Sequence, residues 1–73
     1  MFNYIDDSVK IDFDVPKDIL KLMKECEEFD KEDRYACYMN YVEFLTDTIC
    51  KEAYVQGHLT KKQWETIERR FKL

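Results

Sequence analysis

The 73-residue chain has one glycine, one proline and one histidine, and its opening segment has no apolar run. Each shortage excludes something. With so few residues that break or loosen the backbone, regular elements are expected to fill most of the chain, and there is no glycine-rich loop from which an oxyanion site could be made. The first residues alternate polar and apolar side chains and include Asp6 and Asp7, unlike the apolar core of a secretion signal or membrane anchor. A soluble, cytoplasmic protein without a membrane partner is expected. The cysteines Cys26, Cys37 and Cys50 are odd in number and far apart, which is not a secreted disulfide framework. Cys37 and Cys50 would lie about 20 Å apart on one helix and cannot bridge, so reduced thiols packed as small hydrophobes are expected.

What is present is hydrophobic and aromatic material, 45% and 15% of the residues, enough for a folded core and contrary to the composition of disorder. Residues 1–73 are read as a single small helical domain, and a lone core of this size supplies only about 3–5 kcal/mol of net stability. The net charge of −4 is uneven: residues 1–33 carry −6 and residues 34–73 carry +2. An acidic front half disfavours nucleic acid and anionic membrane there and favours a larger protein with a basic surface.

Val9, Ile11, Phe13 and Val15 alternate with Lys10, Asp12 and Asp14, the period of two of a strand. Residues 1–15 are therefore expected as a short N-terminal β-hairpin with Phe2 to Ile5, or as an extended arm. Asp14 ahead of Val15-Pro16 reads as a helix cap, opening a helix over 16–29 whose core side holds Ile19, Leu20, Met23, Cys26 and Phe29. The run Asp30-Lys31-Glu32-Asp33 reads as a solvated turn leading into a helix over 33–56, which stops at Gly57. A third helix is expected over 61–72. Thr60 and Gln63 form its capping box, and Leu59 and Trp64 stand at the staple positions. The fold class is mainly α: a three-helix bundle with the hairpin or arm laid across it.

The helix over 33–56 is apolar on two sides. At about 100° per residue, Tyr35, Tyr38, Val42, Leu45, Ile49 and Ala53 share one stripe, expected to face the core. Cys37, Tyr41, Phe44, Thr48 and Val55 lie roughly 120° away, and only the sector of Asn40, Glu43, Asp47 and Lys51 is plainly polar. This second side is covered either by the N-terminal segment or by a partner, which includes a second copy in a homodimer. Aromatic residues are favoured at interfaces, and four of the five tyrosines lie on this helix.

Gly57-His58-Leu59-Thr60-Lys61-Lys62-Gln63-Trp64, between two helices, resembles the helix-turn-helix hairpin of the SHOCT family of short oligomerisation modules. The likeness covers about the last 30 residues, and what it implies is protein interaction. The same region has a second reading as a small helix-turn-helix-like transcriptional regulator that binds DNA through residues 58–72, with Gln63, Arg69 and Arg70 near the groove. Overall acidity, with Glu65 and Glu68 in the supposed reading helix, weighs against it.

Catalytic and metal chemistry find little support. His58 could act as base to a cysteine, yet it falls in a turn, and three cysteines plus one histidine lack the two-to-four-residue spacing of a structural zinc site. Asp6, Asp7, Asp12 and Asp14 do not form a calcium loop, because Lys10 interrupts them and the required glycine is absent. Read together, these four carboxylates are a solvated face or an imitation of a row of phosphates. The expected function is a non-enzymatic protein-binding module without a cofactor, a small acidic regulator or inhibitor acting by contact. Size and charge associate such chains with phage or mobile-element inhibitors of nucleic-acid enzymes. Candidate partner-binding residues are Cys37, Tyr41, Phe44, Thr48, Val55, Asp6, Asp7, Asp12 and Asp14.

Overall fold

A computed structural model describes residues 2–72, so Met1 and Leu73 of the expected domain lie outside the described residues. The chain is mainly helical. Helix α1 spans Lys17–Lys31, α2 Tyr35–Glu43, a π-helical segment Phe44–Ile49, α3 Cys50–Val55 and α4 Lys61–Phe71. The middle three are continuous, so residues 35–55 form one central rod. α1 packs on α2 and the π segment, and α4 packs on α3 and the same segment. No helix among the described residues is long and apolar enough to cross a membrane.

The core joins Ile19, Met23 and Cys26 of α1, Tyr38, Val42, Leu45, Cys50 and Ala53 of the rod, and Ile67 and Phe71 of α4, with Ile5 and Leu59 closing it. Thr60 caps α4 as its sequence dictates: its hydroxyl accepts from the Gln63 amide at 3.1 Å, and the Gln63 side chain accepts from the Thr60 amide at 3.0 Å. Gly57 ends α3 at φ +80°. The amides of Gly57 and His58 there reach back to the carbonyls of Tyr54 and Ala53, the paired bonds of a Schellman stop.

α1 ends the same way, on Asp33 at φ +57°, with the Asp33 and Arg34 amides bonded to the carbonyls of Asp30 and Phe29. This helix runs to Lys31, two residues past the expected end, and begins at Lys17 behind Pro16 with no side-chain cap. Asp14 therefore does not serve as its cap. Leu20, expected in the core, is 41% exposed.

The stripe expected from uniform α geometry is also corrected. Tyr35 is 53% exposed and Ile49 is only half-buried, while Thr46 and Cys50 are fully buried. Tyr35 stands in the first turn of the rod, upstream of the π segment; for Ile49 and Cys50 the segment is the reason, because the Cys50 amide bonds to the carbonyl of Leu45, five residues back, so the turn takes in an extra residue and shifts the downstream face by one position. Two polar contacts tie this segment to α4 and to Lys72 just beyond it. The Trp64 indole N–H donates to the Thr46 carbonyl at 2.9 Å, and the Lys72 ammonium donates to the Asp47 carboxylate at 2.8 Å.

No β-strand occurs among the described residues, so the expected hairpin is absent and the N-terminal segment is an irregular arm. The backbone donors of residues 3–6 go to the helical body instead of a ladder, and those of Ser8 and Val9 turn back on Asp6. Asp30, assigned by sequence to a solvated turn, is fully buried, and its carboxylate accepts the amides of Asn3, Tyr4 and Ile5 at 2.6, 2.7 and 2.9 Å. The period of two survives without pairing: Val9, Ile11, Phe13 and Val15 are half-buried, whereas Lys10, Asp12 and Asp14 are exposed.

Candidate functional site

Two adjacent columns of side chains, one on α1 and one on the rod, meet at the surface beside the core. Ile19, Met23 and Cys26 point α1 inward, which carries Leu22, Glu25 and Phe29 along its neighbouring flank at helical spacing. On the rod, Tyr38 and Val42 face inward, which brings Asn40, Tyr41 and Phe44 to the facing flank. Leu22, Glu25, Asn40, Tyr41 and Phe44 line a shallow cleft open to solvent. The Phe29 ring stands edge-on to Tyr41 with centroids 4.8 Å apart. That contact leaves Tyr41 half-buried, and Phe44 at the cleft mouth is 50% exposed.

The structure thus brings together Tyr41 and Phe44, with the half-buried Cys37 one turn earlier on the same side. It separates Thr48 and Val55 from them. Both are exposed, Val55 to 74%, and they belong to another depression with Asp47, Lys51 and Glu52, because the π segment turns the downstream residues away. Leu22 and Glu25 are members that the sequence reading did not assign. The spacing of Leu22 and Phe29, two helical turns apart beside the core column, is the signal that would have found them.

Among the described residues, none of the arm lines this cleft. The arm's aromatic contacts lie toward the start of the rod, where the Tyr4 ring stands 5.1 Å from those of both Tyr35 and Tyr38. The Tyr4 hydroxyl donates to the Asp33 carboxylate, and that bond pushes its pKa up to about 12.

All four candidate carboxylates are exposed, in two different settings. Asp6 accepts from the amide and hydroxyl of Ser8, bonds that hold its carboxyl below the ordinary value. Asp7 stands 3.8 Å from Lys10 and 3.9 Å from Arg70. Among the described residues, Asp12 and Asp14 take part in no ion pair, so they offer the less compensated charge.

The remaining chemistry-bearing groups are dispersed. Burial pushes the thiols of Cys26 and Cys50 up to about 12, which suits packing and not nucleophilic attack. His58 is exposed in a depression with Asp18 and Glu52. Among the described residues no group of three or more histidine, cysteine or acidic side chains is placed to hold a metal ion.

On α4, Gln63 is engaged in the capping box. The Arg70 side chain is only 11% exposed, donates to the Val9 carbonyl at 2.8 Å and lies 3.5 Å from Glu27. Of the three side chains assigned to a DNA groove, Arg69 is the exposed one. No protein-family model, curated protein or solved structure matches the chain. The likeness of residues 57–64 to the SHOCT hairpin therefore rests on that turn alone.

Proposed function

We propose that the chain is a non-enzymatic protein-binding module, a small acidic regulator that acts by contact with a larger protein. The observation that carries this is Phe44, a phenylalanine left half exposed beside Tyr41 and Leu22 in a cleft with Glu25 in its wall. A small core has little stability to give away, and exposed aromatic surface next to charge is characteristic of contact sites. The fitting partner presents an apolar side chain to the cleft and basic residues around it. Asp12 and Asp14 on the arm add exposed negative charge elsewhere on the molecule, which would steer association with a basic partner.

The alternative, DNA binding through residues 58–72, retains Lys61, Lys62 and Arg69 on the surface. It loses Arg70 to the arm and Gln63 to the cap. Capture from source-cell extract separates the two readings when the chain is compared with Phe44→Ser and with a variant carrying Asn at Asp6, Asp7, Asp12 and Asp14. Asn at position 6 can still close the turn on Ser8. The contact reading expects one protein retained by the parent chain, lost with Phe44→Ser and weakened by the Asn variant and by added salt. DNA retained equally by all three chains would replace this reading with the alternative.

A further inference from the structure

The polar anchors of the arm are concentrated on two residues of the helical body, Asp30 and Arg70, with the Tyr4 hydroxyl bonded to Asp33 beside the first. At one end the buried Asp30 carboxylate accepts three successive amides, and the Asn3 side chain returns a bond to the Asp30 carbonyl at 2.6 Å. At the other end Arg70 donates to the Val9 carbonyl, while the Asp6 amide donates to the Arg70 carbonyl at 2.9 Å. Phe2 lies beneath the Arg70 guanidinium, 5.7 Å from its ring centre. Beyond Val9 the character changes. Among the described residues, the backbone groups of residues 10–15 make no hydrogen bond, and no side chain there is fully buried.

From this we infer that residues 2–9 form a strap that opens from the helical body as one unit, hinged on residues 10–15. The strap has no ladder that could be lost one rung at a time. Three of its donors share one carboxylate, so displacing that group releases Asn3, Tyr4 and Ile5 together. The helices keep their own backbone bonds and most of the core when it lifts, since Ile5, 7% exposed, is the one buried strap residue and Phe2 and Tyr4 pack on the core while only partly buried. Opening uncovers the Asp30 carboxylate and the Tyr38 ring at one end of the bundle. It also moves Asp6 and Asp7 relative to Asp12 and Asp14. The fold therefore contains a two-position device, closed when Asp30 and Arg70 are engaged by the chain's own N-terminal segment.

Native-state hydrogen exchange on the full chain, followed across low denaturant concentrations, tests the strap. The amides of Asn3, Tyr4, Ile5 and Asp6 are expected to share a single protection level, nearly independent of denaturant and at least about tenfold lower than that of Val42 and Ile67. Asp30→Asn places an amide donor against donors, and should abolish protection of those four amides while Val42 and Ile67 keep theirs. Strap amides that exchange only with global unfolding, or four unrelated protection levels, overturn the inference. So does an Asp30→Asn variant that unfolds entirely or leaves the strap unchanged.

Discussion

Replacing Trp64 by Phe tests how the π segment is held. The indole N–H meets the carbonyl of Thr46, a residue with no exposed surface, at 2.9 Å. Phenylalanine keeps an aromatic body in the half-buried position but removes the donor. An unsatisfied buried carbonyl costs about 1–3 kcal/mol, and the smaller ring forfeits under about 1 kcal/mol of apolar contact, so the expected loss is about 2 kcal/mol. At about 4–8 °C per kcal/mol in a domain of this size, the melting midpoint should fall by roughly 8–16 °C. Calorimetry supplies the midpoint, and exchange of the Asp47 to Cys50 amides shows whether the damage starts in the π segment. A shift of less than about 3 °C refutes the argument that the indole bond holds the segment in place.

Thr60→Ala should remove the cap of α4 and cost about 1 kcal/mol, read as a fall of several degrees in the same scan. Lys72→Met addresses the ion pair on the π segment. The Lys72 hydrogen bond holds the Asp47 carboxyl below its ordinary value of 3.8, so the pair contributes stability above that value and loses it as pH falls through the lower folded-state value. In the variant, carboxyl titration by NMR should find Asp47 moved upward, and the acid limb of the stability curve should flatten. An unmoved titration would deny the bond. The same contact raises Lys72, so its contribution also fades as pH rises through that raised value.

Much of the fold was legible because its signals are local. Thr60 with Gln63 and Gly57 after a periodic run announce helix boundaries through residues a few positions apart, and the structure keeps all of them. Asp30 was missed because a carboxylate in an acidic run at a helix end reads as solvated. Its burial depends on amides supplied from 25 to 27 residues away. The π segment was missed because a count of 100° per residue assumes one helix type, and only the misplaced Ile49 and Cys50 reveal the extra residue.

The candidate cleft was half legible. Tyr41 and Phe44 stood out as a second apolar side, but the rod alone cannot show that α1 supplies Leu22 and Glu25 across from them. Thr48 and Val55 were grouped with that side by an angle that the π segment changes. The hairpin was read from alternation, which the arm retains as half-buried against exposed, while its first donors found Asp30 and Arg70.

Equilibrium binding of the captured partner to the parent chain and to Phe44→Ser, each with its melting midpoint, tests the proposed contact function most directly. Half of the Phe44 surface is already open, so the substitution should cost the free protein about 1 kcal/mol and leave it folded. A central aromatic contact is worth about 2 kcal/mol or more, so binding should weaken at least about thirtyfold. Unchanged affinity in the folded variant would contradict the assignment of the cleft as the contact site.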